Sequence, residues 1–308
     1  MTITSSILES PCVAAVVVGF FPELEILHAL LLNVSTQVDY LYLIDNGGCD
    51  GLDLSALPFC KHIKLGQNFG LGYALNAGFS AAKADSAHYV ATFDQDSAPP
   101  DNLIATLLLQ HQNLDAQGIK CGAIGPTFFD RRETNTVFFP FYKEKESGIT
   151  ATTPSPSSPD MLEVDVLITS GMLIKMSTWE DQLHYDENMF VDYTDTDWCF
   201  RARNKAYRLF GSTTVKMGHA LSDAPPIRLF NLTFFHYSPL RRYYYFRNTI
   251  ILCKAPYVSF LWKKRLLMGL LPRLFVIIFY EKKLLTQLKM ISQGIWSGIT
   301  SKTGRYQA

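Results

Sequence analysis

Over its first hundred residues the chain alternates short apolar, β-branched runs with stretches of helical periodicity, and no other feature limits the fold as much. "VAAVVVGF" (13–20) reads as a buried strand and "PELEILHALLLNV" (22–34) as a helix with Pro22 near its first turn. "YLYLID" (40–45) is a second strand closed by the turn residues "NGG", and "KHIKLG" (61–66) a third, leading through "QNFGLG" into the helix "YALNAGFSAAKA" (73–84). "HYVATF" (88–93) is the fourth strand, followed by a helix from about Pro100 and a fifth strand, "CGAIGPTFF" (121–129). Such alternation predicts βαβ units, hence an α/β fold with a mainly parallel central sheet and helices on both faces. Ligands of open α/β sheets bind beyond the carboxyl ends of the strands, so the polar residues that follow each run are the candidate site.

The fourth strand ends in Asp94-Gln95-Asp96-Ser97. Two carboxylates one residue apart are suited to Mg²⁺ or Mn²⁺, hard cations that also coordinate diphosphate. The same pattern serves as a turn or helix cap, and in D-x-D phosphatases the first Asp is a nucleophile. There the motif ends the first strand of the domain, whereas three βα units precede it here. A second acidic cluster, "DENMFVDYTDTDWCFRAR" (186–203), holds Asp192, Asp195 and Asp197 at an expected helix start, where acids also favour the dipole. Asp197 and Arg201 stand one turn apart and are expected to pair. Asp195 is left as the freer carboxylate, a candidate general base for an acceptor hydroxyl. Among seven histidines, His219 in "VKMGHALSD" follows a strand-like run and can reach the same pocket; His236 is a weaker second choice.

The formal net charge is zero, yet residues 241–308 hold 13 of the 28 Lys and Arg and one acid, Glu281, so this segment carries +12 and the remainder −12. Its apolar run "LLMGLLPRLFVIIFY" (266–280) is interrupted by Pro272 and Arg273 and falls short of the roughly 20 residues of a spanning helix. Lys263, Lys264, Arg265, Arg273, Lys282 and Lys283, interleaved with apolar residues, Trp262 and Tyr280, read as a surface-binding amphipathic region, or alternatively as a helical subdomain packing on the core or on a second subunit. We divide the chain into an α/β domain, 1–240, and a basic helical region, 241–308. The polar stretch 143–160, "KEKESGITATTPSPSSPD", reads as a mobile loop, either a lid or a solvated insertion. "LEVDVLITSGMLIKMSTWE" (162–180) reads as a strand pair through Ser170 and Gly171. The six cysteines lack C-x-x-C spacing and are expected as reduced thiols, and the apolar amino terminus as a first strand rather than a signal peptide.

With these residues in view, the chain resembles the family 2 inverting glycosyltransferases of the GT-A fold, and among them bacterial rhamnosyltransferases of surface-polysaccharide assembly. The resemblance rests on the joint order of "VVVGFFPELEIL", "LIDNGG", "QNFGLGYALNAG", "ATFDQDS", "ITSGMLI", "DENMFVDYTDTDWCFRAR", "KMGHALSD" and "YYYFRN", from about residue 13 to 248. One departure stands out: the family's Glu-Asp-x-Asp is Thr194-Asp195-Thr196-Asp197 here.

The resemblance implies a nucleoside pocket of Phe20, Pro22, Glu23 and Asp45, with Asn68 and Gly70 lining the same cleft. It implies that Asp94 and Asp96 address the ribose and a metal-bound diphosphate, with His219 as a third ligand of Mg²⁺ or Mn²⁺. It gives Asp195 the base role and the acceptor side to Ser170, Gly171, Trp198 and Arg201, with a core role equally open for Trp198. The implied donor is dTDP-L-rhamnose, with UDP-sugars as competitors. The implied acceptor is a glycan or lipid-linked glycan, met by a cytoplasmic enzyme peripheral at the plasma membrane, with no nucleic-acid partner and a possible homo-oligomer. A phosphatase and a non-catalytic nucleotide-sugar-binding module are the readings from other classes.

Overall fold

The structure, a computed structural model, describes residues 10–130, 136–219, 227–229, 232–234, 237–280 and 283–307. The expected alternation becomes β1 (Val13–Gly19), α1 (Leu24–Ser35), β2 (Tyr40–Asp45), β3 (Cys60–Lys64), α2 (Leu71–Ala84), β4 (Tyr89–Asp94), α3 (Leu103–Ala116) and β5 (Cys121–Phe129). Then come β6 (Phe141–Lys145), β7 (Gly148–Thr152), β8 (Met161–Val164), β9 (Met172–Lys175), α4 (Met176–Glu180), α5 (Thr194–Asn204) and β10 (Arg208–Gly218). After the short hairpin β11 (Ile227–Leu229) and β12 (Leu232–Phe234) the chain is helical: α6 (Pro239–Lys254), α7 (Phe260–Met268), α8 (Leu270–Tyr280) and α9 (Leu284–Ile299).

One sheet, in the order β3-β2-β1-β4-β9-β5-β10-β8, organises the protein. Neighbours from β3 to β4 run parallel, as do β5 and β10, while β9 lies antiparallel between β4 and β5 and β8 antiparallel at the edge. Side chains alternate across β1, and the two faces bury in different clusters. Val13, Ala15 and Val17 pack with Leu27 and Leu31 of α1 and Leu103 and Leu107 of α3, whereas Ala14, Val16 and Val18 pack with Ala74, Leu75 and Phe79 of α2. A strand covered on both sides needs an unbroken apolar run, which is why "VAAVVV" shows no polar alternation. All six cysteines are free.

Three expectations need correction. Residues 143–160 are not one mobile loop: β6 and β7 form a hairpin turning at Gly148, whose φ of +133° suits glycine. Two of its polar side chains are paired rather than solvated, Lys143 with Glu163 at 2.7 Å and Asp165 at 3.2 Å, and Glu144 with the Ser259 hydroxyl at 2.6 Å, while Lys145 to Ser147 at the turn are exposed. Secondly, β8 and β9 are not a strand pair. The chain between them crosses the sheet, so β9 enters between β4 and β5 while β8 pairs with β10. Thirdly, Arg273 is not part of a basic surface, because its guanidinium donates to the Gly269 carbonyl at 2.6 Å and stacks on Tyr245.

Candidate active site

The strands β1, β2 and β4 stop at one edge of the sheet, where a cleft of about 850 Å³ opens. Val18, Phe20 and Glu23 border it after β1, Asn46 after β2, and Asn68 and Gly70 before α2. Asp94 closes β4 and Gln95 and Asp96 follow it, His219 follows β10, and Asp195 stands in the first turn of α5. Residues far apart in sequence thus converge because each lies at or just beyond the end of its strand or at the start of its helix.

Two asparagines build the loop before α2. The Asn46 side chain donates to Asn68 Oδ1 at 3.1 Å and accepts the Phe69 N–H at 2.9 Å, while Asn68 Oδ1 accepts the Gly70 N–H at 2.8 Å. Gln95, the middle residue of the D-x-D motif, accepts the Phe20 N–H at 2.6 Å and so joins the ends of β4 and β1. Asp45 lies behind this surface: buried, it accepts the Gly47 N–H at 2.8 Å and faces His62 Nε2 at 3.3 Å. Pro22 does not line the cleft either, although its neighbours Phe21 and Glu23 do.

The His219 ring lies between the two D-x-D carboxylates, with Nε2 3.5 Å from Asp94 and Nδ1 3.5 Å from Asp96. Burial raises the pKa of Asp94; the His219 ring opposes the shift and Asp96 adds to it. In kind this donor set fits a hard divalent cation, since two carboxylates stand beside a buried imidazole whose Nδ1 has no hydrogen-bond partner among the described residues. No group of three such side chains among the described residues stands closed to ligating distances, so binding requires the side chains to draw together. His236 lies outside the described residues.

Asp195 accepts hydrogen bonds from the N–H groups of Thr196 at 2.6 Å and Thr169 at 3.2 Å. Burial nevertheless pushes its pKa up to about 6, with the nearby Asp94 charge adding to the rise and the Thr N–H bonds opposing it. A carboxylate with that affinity is ionised at neutral pH and basic enough to take a proton. Asp197 has a different position: fully buried, it binds Arg201 Nε at 2.7 Å, the expected pair, and accepts the Tyr257 hydroxyl at 2.6 Å.

The four residues expected on the acceptor side divide. Ser170 is buried, in a hydroxyl–hydroxyl hydrogen bond with Ser97, and Gly171 donates its N–H to Thr92 at 2.6 Å beneath the D-x-D strand. Trp198 is fully buried and donates its indole N–H to the Leu183 carbonyl at 2.6 Å, and Arg201 is held by Asp197. None of the four lines the cleft. The wall beside Asp195 is instead formed by Phe190 to Tyr193 and by Tyr237, Arg241 and Tyr245 at the start of α6. Sequence reasoning missed Tyr237, Arg241 and Tyr245; of these Tyr245 stands in "YYYFRN", which carried a signal, since aromatic and basic residues crowd one helix that has no apolar stripe.

Residues 15–157 match the family described as Glycosyl transferase family 2. The chain is 29% identical over 298 residues to the dTDP-rhamnosyl transferase RfbF of Shigella flexneri, a match covering 96% of this chain and 98% of that protein. Among solved structures it is similar to S. aureus TarS 1–349 in complex with UDP-GlcNAc, with a TM-score of 0.56 and 13% identity over 94% of this chain and 81% of that one. It is also similar to GalNAc-T7 with UDP, GalNAc and Mn²⁺, with a TM-score of 0.56 and 12% identity over 85% of this chain, which spans 55% of that longer chain. These likenesses concern the fold, which is of the GT-A type. Taken with the strand-end cleft and the near full-length relative, the match of residues 15–157 to glycosyl transferase family 2 disfavours the phosphatase reading and supports a glycosyltransferase.

Proposed function

We propose that the protein transfers L-rhamnose from dTDP-L-rhamnose to a hydroxyl of a surface-glycan acceptor, free or lipid-linked, by a single displacement with inversion. The observation that carries this reading is the opening of Asp195 onto the same cleft as Asp94, Asp96 and His219. The near full-length likeness to a dTDP-rhamnosyl transferase supports dTDP-L-rhamnose as the donor.

In this reading Phe20, Glu23, Asn68 and Gly70 hold the nucleoside, with Pro22 and Asp45 shaping the wall behind them. Asp94 addresses the ribose and, with Asp96 and His219, holds Mg²⁺ or Mn²⁺. When bound, that cation supplies positive charge to the diphosphate. Asp195 takes the proton of the acceptor hydroxyl as its oxygen attacks the anomeric carbon, and the bond from that carbon to the diphosphate oxygen breaks on the opposite face. Positioning both substrates supplies much of the acceleration, and the base contributes roughly 10²- to 10⁴-fold. Tyr193, Tyr237, Arg241 and Tyr245 form the acceptor wall; Ser170 and Gly171 support the floor beneath it.

The carboxyl-terminal helices give the reading its membrane side. Leu271 and Phe275 of α8 are 66% and 51% exposed, and Met268, Phe279 and Trp296 are exposed as well. Lys263, Lys264 and Lys283 supply positive charge near these apolar residues, as binding to an anionic lipid surface requires. No helix among the described residues is long and apolar enough to cross a membrane.

The test is turnover of dTDP-L-rhamnose, followed by dTDP release, beside UDP-galactofuranose, UDP-glucose and UDP-N-acetylglucosamine. Preference for the dTDP donor by at least tenfold in kcat/KM is the expected result; preference for a UDP-sugar would replace the donor and leave the reaction class standing.

A further inference from the structure

The turn that joins the donor loop, the stretch before α2 that carries Asn68 and Gly70, to the start of α5 is held in an unfavourable shape. Phe190, Asp192 and Tyr193 have φ values of 64°, 53° and 64°, a left-handed conformation that side-chain-bearing residues seldom adopt. Such a run persists only where its surroundings over-determine it. Here the surroundings are two fully buried side chains of α6. The two hydrogens of the Asn248 carboxamide nitrogen are shared among the carbonyls of Met189 at 2.9 Å, Val191 at 2.7 Å and Asp192 at 2.8 Å. Its own oxygen accepts Arg247 Nε at 2.8 Å. The Arg247 guanidinium donates to Asn188 at 3.1 Å, Met189 at 2.7 Å and Gly304 at 2.5 Å, and the Gly304 N–H returns to the Asn188 carbonyl at 2.8 Å.

The ends of the turn reach the two halves of the cleft. At one end the Phe190 carbonyl accepts the Leu71 N–H at 2.6 Å, against the donor loop. At the other the Tyr193 carbonyl accepts the Asp197 N–H at 2.8 Å, which opens α5 and sets Asp195 in its first turn. Neither Arg247 nor Asn248 lines the cleft.

We propose that Asn248, oriented by Arg247, is a positioning residue for the transfer reaction, fixing the 190–193 turn so that the donor loop and Asp195 keep one relative geometry. The inference rests on reading Asp195 as the base. It also assigns the start of the basic helical region to the catalytic apparatus, which moves the functional boundary past residue 240.

The informative variant is Asn248→Asp in the full chain. It keeps the acceptor for Arg247 but turns an acceptor oxygen toward three carbonyls. Expected with dTDP-L-rhamnose are a kcat lower by roughly 10- to 100-fold and a dTDP Kd within about threefold of wild type, because Asn46 and Asn68 hold the donor loop independently. The acid limb of the kcat profile should move to lower pH, since a loosened turn lets water reach Asp195. Arg247→Lys, which keeps the charge but loses the fork, should lower kcat and shift the acid limb the same way with dTDP affinity again kept, and decides the matter if Asn248→Asp does not fold. An unchanged kcat in folded variants, or a lower kcat with the acid limb unmoved, overturns the proposal. A wild-type protein inert toward dTDP-L-rhamnose counts against the donor assignment instead. The clamp is then judged by amide hydrogen exchange across residues 190–197, which the variant must accelerate and which, unchanged, refutes it.

Discussion

Gly70 stands so close to Phe190 that a Cβ on it would come within 2.7 Å of the Phe190 carbonyl oxygen and 2.9 Å of its Cα. The obstacle is backbone, which cannot swing aside as a side-chain tip can, and Gly70 also has a φ of +93°. The donor loop and the turn that leads to the candidate base therefore touch through a residue that has to be glycine.

Gly70→Ala is expected to destabilise the fold by about 2 kcal/mol or more and to weaken dTDP binding at least tenfold. Gly66→Ala is the control, because its φ of +82° carries the same conformational cost while its Cβ would meet nothing within 4 Å. Equal Tm losses and equal dTDP affinities in the two variants would show that the contact with Phe190 contributes nothing.

Asp195 also has a consequence for stability. Its pKa is raised in the folded protein to about 6, so the unfolded chain ionises first as pH increases, and stability is lost between about pH 4 and pH 6 and stays lower above. Asp195→Asn removes that penalty. Urea unfolding at pH 7.5 should find the variant more stable by on the order of 1–3 kcal/mol, with the difference shrinking toward pH 4; a variant less stable at pH 7.5 contradicts the cause given for the shift.

The Asp94, Asp96 and His219 set predicts a metal-linked response. dTDP should raise the Tm of wild-type protein more with Mn²⁺ or Mg²⁺ than with excess chelator, since a ligand binding only the native state stabilises it by mass action. Asp96→Asn and His219→Ala should each lose most of the metal-dependent increment. Retention of the full increment in both would remove them from the cation site.

For the carboxyl-terminal helices, flotation with anionic vesicles is the readout. The double variant Leu271→Glu, Phe275→Glu should float at least tenfold less than wild type while turning over a water-soluble acceptor normally. Unchanged flotation, or a dimer that the double variant dissolves, would assign the apolar face to a second copy of the chain.

Much of this was legible in the sequence because the strands are buried on both faces. "VAAVVVGF", "YLYLID" and "YVATFD" announce strands without reference to anything distant, and the sheet rule then directs attention to Asp94 and Asp96 at a strand's end. Sequence separation hid the rest. That β9 inserts between β4 and β5 depends on pairings 49 to 86 residues apart in the chain, which no local pattern encodes. The hairpin at 141–152 was obscured because Lys143 and Glu144 look solvated until Glu163, Asp165 and Ser259 arrive to pair with them. Trp198 has two readings, a sugar contact or a core residue, because an aromatic beside an acidic cluster fits both until its indole N–H is seen satisfied inside the core.

The central claim is that Asp195 removes the acceptor proton in a cleft that binds a nucleotide sugar. It is tested most directly by the pH profile of kcat for dTDP-L-rhamnose turnover by wild type and Asp195→Asn, with dTDP affinity measured in parallel. Expected are a wild-type acid limb near pH 6 and a variant that binds dTDP normally but turns over roughly 10²- to 10⁴-fold more slowly without that limb. A variant with wild-type turnover, or one that keeps the limb, contradicts it.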